Sequence, residues 1–188
     1  MRLSQPRIAP VADPAALDDD SRALLAGYET GHAVNIFRTL VRHPRLFKRW
    51  GTFATHVLVR TTLPARDREL LILRTGWNCR APYEWGQHVA IGRATGISDE
   101  EIERIAAGPD APGWDAFDAT LLRAADELHG DDMIDDATYA ALAARYDAQQ
   151  LLDVVFTVGQ YHLVSMALNT LRVERDDGVT GVPMPERA

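Results

Sequence analysis

The chain has 188 residues, 46% hydrophobic and 25% charged, which is enough apolar material for one domain with a real core. Lys and Arg number 20 against 27 Asp and Glu, a net charge of −7, so the electrostatic footprint of a nucleic-acid or anionic-membrane binder is missing. The single cysteine, Cys79, excludes an intrachain disulfide and, within one chain, structural zinc of the two-Cys and four-Cys kinds. No stretch reaches the ~18 consecutive apolar residues of a membrane span. The first fourteen residues lack the apolar core of a signal peptide, so a cytoplasmic protein is expected.

Helical signals dominate and predict an all-α fold in one domain, 1–188. N-terminal helices are expected over about 15–61, a core motif over about 62–108, C-terminal helices over about 114–173 and an extended tail over 174–188. Asp13-Pro14 opens a first segment running to about Gly31, with Asp13 as N-cap. A short apolar run over 34–43 ends before Pro44, which opens a helix to about Thr61. Leu63-Pro64 punctuates again, and 65–78 follows as a strong helix whose stretch 70–73 is apolar on all sides. Pro82 starts the next helix, which stops at Gly96. Ser98 and Glu101 form a capping box for a helix to about Ala107, and 108–113 is the clearest loop. Helices over about 114–129, 137–146 and 149–172 complete the pattern, with Asp131-Asp132 and Asp135-Asp136 as a turn and an N-cap. The tail from Glu174, with Gly178, Gly181, Pro183 and Pro185, shows no packing pattern of its own and suits ordering against a neighbouring subunit. The apolar stretches 70–73 and 154–158 exceed what one small domain is expected to cover, which predicts a homo-oligomer.

Most charged residues read as solvated helix faces; the block from Arg66 to His88 does not. Glu84 and His88 are four apart and share a helix face, a spacing that also suits a plain intrahelical contact. Glu69 sits where the preceding helix turns wholly apolar, so its carboxylate is expected to be partly desolvated. If the two helices form a hairpin, a carboxylate from each converges on one imidazole, the makings of an acid–base site ionising near neutrality. The same three groups would also suit a divalent metal. His43 before Pro44 reads as structural. His162, inside the long last helix, suits the core or an interface as well as a pocket. No G-x-G-x-x-G, Walker, G-x-S-x-G or H-E-x-x-H pattern occurs.

Leu63 to Glu69, the apolar helix, Tyr83-Glu84-Trp85-Gly86-Gln87-His88 and the segment from Gly96 to Ile102 together resemble the carboxymuconolactone decarboxylase family, which includes the alkylhydroperoxidase D-like proteins. Asn35 to Leu40, His43-Pro44, Gly159-Gln160-Tyr161-His162 and Leu168-Asn169 agree, so the resemblance covers about residues 20–180. It implies an all-α fold and assembly into trimers or hexamers, with core helices partly buried between subunits. The family's peroxidase branch carries a glutamate, a C-x-x-C pair and a histidine. Glu69 and His88 fall on the first and last of these, while Ala81 and Glu84 occupy both cysteine slots. Cys79 lies two residues before the first slot and replaces neither.

The Tyr-Glu-Trp pattern looks more like the decarboxylase side, which the resemblance implies acts on small carboxylated lactones or ring acids without metal or organic cofactor. The expectation is a lyase in which Glu69 and His88 exchange protons with a small organic acid while Glu84 orients His88. Tyr83 and Trp85 would shape the pocket, with His162 a further lining candidate, and Arg66, Arg68 or Arg80 would hold the substrate carboxylate. Two other readings remain: a thiol-dependent antioxidant protein using Cys79 with an external thiol, and a non-catalytic oligomeric binding protein.

Overall fold

The structure, a computed structural model, describes residues 5–29, 34–176 and 184. Its elements are helices, with no strand among the described residues. In order they are α1 (Asp19–Ala26), α2 (Asn35–Leu40), α3 (Pro44–Thr55), α4 (Ala65–Asn78), α5 (Pro82–Ala94), α6 (Asp99–Ala107), α7 (Ala116–Gly130), α8 (Asp136–Ala143) and α9 (Ala148–Leu171). The all-α expectation therefore holds.

Helix α4 is the axis. Leu70, Leu71, Ile72 and Leu73 are completely buried. Four consecutive residues sweep the whole circumference of a helix, so burial of all four requires neighbours on every side. Those neighbours are α5, α6, α7 and α9 of the same chain. The expectation that this stretch needs a second subunit is thus corrected, because the chain's own later helices cover it; in 154–158, by contrast, Val154 and Val158 are covered while Val155 and Phe156 stay exposed.

Polar groups on α4 fix the register of that packing. Arg74 clasps Asp126 of α7 at 2.5 and 2.8 Å and donates to the carbonyls of Ile105 and Ala106. Asn78 reaches the same carboxylate at 2.6 Å, and the Tyr146 hydroxyl donates to the buried Asp67 at 2.5 Å. Gly108, at φ 105°, ends α6 in the left-handed region, where a side chain would also press on the Arg74 guanidinium at 3.0 Å.

Short polar side chains mark the helix starts: Ser98 and Asp147 in full capping boxes, and Asp18, Asp115 and Asp135 as simple caps. The first segment differs from its sequence reading. Asp13 caps only a 3₁₀ turn at Pro14–Ala16, Leu17 is extended, and Asp18 starts α1 by accepting from Ser21 N at 2.8 Å. The run after Pro44 ends α3 at Thr55 and continues as a π-helical turn, His56–Arg60. The segment end at Gly31 and the tail positions Gly178, Gly181, Pro183 and Pro185 lie outside the described residues.

The tail as far as Asp176 does not wait for a second subunit. Asp176 accepts from the backbone N–H groups of Val34 and Asn35 at 3.1 and 2.8 Å, from the Tyr83 hydroxyl at 2.5 Å and from Gln87 at 2.9 Å. One carboxylate thereby ties the chain's end to α2 and α5.

Helix α9 is, among the described residues, the one helix long and apolar enough to cross a membrane by length and composition. Its inner side, including Val154, Val158, Tyr161 and Leu168, packs into the core. Its outer side exposes Leu152, Val155, Phe156, Leu163 and Met166. Between α2, α3 and α9 lies an apolar cleft of about 300 Å³, lined by Ile36, Leu40, Trp50 and Leu163 among others.

Truncating the axis should cost far more than truncating the surface. Leu71→Ala is expected to lower unfolding free energy by about 2–5 kcal/mol in urea titrations. Met133→Ala, on an exposed turn, should stay within about 0.5 kcal/mol of the parent. Equal effects would remove α4 from its place as the axis.

Candidate active site

The α4–α5 hairpin expected from the sequence is present, and it brings Glu69, Glu84 and His88 together. Cys79 ends α4, Arg80 adopts φ 52°, and Pro82 occupies the first turn of α5, so the chain reverses within three residues. His88 Nδ1 faces Glu69 Oε2 at 2.7 Å across the hairpin, and its Nε2 faces Glu84 Oε1 at 3.0 Å along α5. The other oxygen of Glu69 accepts from Arg68 Nε and Nη2 at 2.9 and 2.8 Å. All three central groups are buried: Glu69 is 0% exposed, Glu84 4% and His88 5%. The ring of Tyr161 on α9 meets His88 edge to face, centroids 4.9 Å apart.

The electrostatics follow from this geometry. Burial alone would strip the proton from His88, but the Glu69 and Glu84 carboxylates outweigh it and push the imidazole up to about 10. Burial alone would also raise Glu69, yet the charges of His88 and Arg68 hold it below the usual carboxylate value. The ionisation expected near neutrality is therefore displaced. The cause is that the two carboxylates take opposite nitrogens of one ring, so an imidazolium is held from both sides. Because each ring nitrogen already faces a carboxylate, a metal at this trio would have to displace a proton and one of these contacts.

Other candidates separate from the trio. Arg66 pairs with Glu101 at 2.5 Å and Asp118 at 2.8 Å, joining α4 to α6 and α7, so it is occupied in holding helices rather than poised for a substrate. Trp85 is a core residue, packed on Trp77 with ring centroids 5.5 Å apart. Tyr83 is buried with its hydroxyl on Asp176, between the trio's helix and the cluster that lines the apolar cleft. Arg80 is exposed on the hairpin turn.

Cys79 and His162 come together elsewhere, with His129 of α7 between them. Burial pushes the Cys79 thiol up, the adjacent Ser165 hydroxyl draws it partly back, and the Glu84 charge raises it again. A thiol held above its ordinary value is a poor nucleophile. Sequence reasoning missed Tyr161, Asp176 and His129; each lies far along the chain from its partner, and no local spacing signals them.

Residues 44–127 match the carboxymuconolactone decarboxylase family. An alkylhydroperoxidase D core from Ralstonia eutropha, a peroxidase-related protein, superposes with a TM-score of 0.79 at 21% identity, over 94% of this chain and 98% of that one. A peroxidase-related protein from Silicibacter sp. gives 0.78 at 14% identity, over 94% and 93%. The debrominase Bmp8 gives 0.70 at 11% identity, over 92% and 93%. No curated protein sequence matches the chain. At these identities the structural likeness speaks for the fold. The family match covers residues 44–127, and the chain as a whole shares the alkylhydroperoxidase D-like fold of these neighbours.

The charge network predicts a particular pH dependence of stability. His88 is raised in the folded state, so above the ordinary histidine value the unfolded chain binds fewer protons than the folded one, and stability falls with rising pH. Its contribution should be complete below about 6.5 and lost as pH rises through about 10. The lowered Glu69 acts oppositely, contributing above the ordinary value of 4.5 and losing that contribution as pH falls through its folded value. Urea titrations across the alkaline range should show a decline of at most about 1.4 kcal/mol per pH unit from this group. His88→Gln should flatten it; an unchanged alkaline slope would rule out the buried imidazolium.

Proposed function

We propose that this chain is an acid–base enzyme, a decarboxylase-like lyase acting on a small carboxylated substrate of lactone or ring origin. Glu69, His88 and Glu84 form its proton-handling unit. The observation that carries this reading is the buried imidazole with a carboxylate on each nitrogen, at 2.7 and 3.0 Å. Buried ion networks of this kind cost desolvation that an apolar core would avoid, and strongly perturbed groups concentrate at functional sites.

In the proposed reaction the carbon–carboxylate bond breaks, its electron pair stays on the substrate carbon, and CO₂ leaves. The carbon then needs a proton. His88 holds one on Nε2, and Glu84, in the first turn of α5, receives and relays it. Glu69 is the deeper carboxylate and is clamped by Arg68, which suits it to hold the ring's orientation and charge. This depth order favours exchanging the roles expected from the sequence: Glu84 passes the proton and Glu69 positions. Arg80 on the hairpin turn is the proposed partner of the substrate carboxylate. Assembly into a homo-oligomer is proposed on the exposed apolar side of α9, where Phe156 also meets Phe53 with ring centroids 6.1 Å apart. The thiol-dependent alternative is disfavoured by the raised Cys79 and by Ala81 and Glu84 in the cysteine slots.

The test is CO₂ release from a panel of small carboxylated lactones. Glu84→Gln keeps the shape of the side chain and should lose about 10²–10⁴-fold in turnover with the fold intact. Glu69→Gln should fall as well, and the double variant should lose less than the product of the two, as groups acting on one proton do. Parental turnover in folded Glu84→Gln would end the assignment. Peroxide consumption that needs added thiol and vanishes in Cys79→Ser would move the function to the redox side.

A further inference from the structure

We propose that Cys79, His129 and His162 form a binding site for a zinc-class metal ion, separate from the acid–base unit. Three elements supply one donor each: the end of α4, the last turn of α7 and the middle of α9. Cys79 Sγ lies 3.9 Å from His129 Nδ1, and His129 Nδ1 lies 3.0 Å from His162 Nε2. All three donor atoms fall within 4.8 Å of one another. Around a tetrahedral ion with Zn–S of about 2.3 Å and Zn–N of about 2.0–2.1 Å, sulfur–nitrogen separations are about 3.6 Å and nitrogen–nitrogen separations about 3.4 Å. Two of the separations lie within about 0.4 Å of these values and the third pair lies within 4.8 Å, so side-chain rotations that draw the three donors together would seat the ion.

The chemistry of the donor set narrows the ion. One thiolate and two imidazoles suit borderline-soft ions and are poor partners for magnesium or calcium, which prefer oxygen. Three protein ligands leave a fourth position for solvent or a small ligand, the pattern of open zinc sites. His129 is exposed, so that position has an entry path from the surface.

The backbone beneath the cluster is held in place. Cys79 N donates to the Thr75 carbonyl at 2.9 Å, and the Cys79 carbonyl accepts from Asn169 of α9 at 3.0 Å. The hydroxyl of Ser165, fully buried one turn before Asn169, lies against the thiol. Helices α7 and α9 also pack on each other and on α4, so the three ligands ride on rigid elements.

The experiment is a cobalt titration of the full chain after chelator treatment, followed by absorption spectroscopy. Expected are one ion bound per chain, a thiolate-to-cobalt charge-transfer band in the near ultraviolet, visible bands of tetrahedral intensity, and displacement of all of them by zinc. Cys79→Ser should abolish the near-ultraviolet band. His129→Ala and His162→Ala should each weaken cobalt binding by about tenfold or more, at least the loss seen when even an outer-shell partner is removed. His129→Ala alters an exposed side chain, so an unchanged melting curve in chelator shows that its weakened binding is not loss of fold. Absence of the charge-transfer band in the parent, or binding unaffected by all three substitutions, overturns the site.

Discussion

An ionised carboxylate at the centre of a helical core must meet a countercharge there, and Glu69 meets two. It sits on the most buried helix of the fold with no exposed surface, between the Arg68 guanidinium and the His88 ring. Removing any one partner would strand a charge in low dielectric, which costs several kcal/mol. The position of α5 against α4 is therefore set as much by this contact as by apolar packing. The tight turn at Cys79–Ala81, the left-handed Arg80 and Pro82 in the first turn of α5 are what bring His88 Nδ1 to 2.7 Å from Glu69.

Much of this was legible in the sequence because it depends on short spacings. Capping boxes, the prolines at helix starts and Gly108 locate most helix ends, since each satisfies backbone groups within a few residues. The four-residue step from Glu84 to His88 and the all-apolar stretch after Glu69 point to the trio. What spacing could not give was which ring nitrogen each carboxylate takes. Two carboxylates at one imidazole were legible, but not that they take opposite nitrogens, and that arrangement holds the imidazolium up to about 10 instead of near neutrality.

Contacts made across long stretches of chain account for the other differences. Arg66 has the chemistry to bind a substrate carboxylate, but α6 and α7 bring Glu101 and Asp118 to it first. Trp85 faces the core because Trp77, on the opposing arm of the hairpin, packs against it there with the rings tilted. Asp176 closes on residues 34, 35, 83 and 87, contacts that no periodicity encodes. Counting cysteines rules out zinc sites with two or more thiolates, yet it is silent about one thiolate meeting two imidazoles from helices folded onto it.

A histidine held near 10 is an unusual acid, since proton transfer is generally most efficient when the donor's value lies near the working pH. The proposed chemistry reconciles the two. When a carboxylate leaves as neutral CO₂, its negative charge moves to carbon, and a carbanion or enolate is far more basic than any imidazole, so donation from His88 runs downhill. Before the reaction, Arg68, Glu69, His88 and Glu84 together carry two positive and two negative charges, a neutral cluster that can be buried at tolerable cost. Donation turns it into a net anion in the same low-dielectric setting. That anion recovers a proton from water at neutral pH, because the flanking carboxylates favour the imidazolium so strongly. In the proposed reaction, the pair of carboxylates that makes His88 a reluctant donor to water is thus what would reset it after each transfer to carbon.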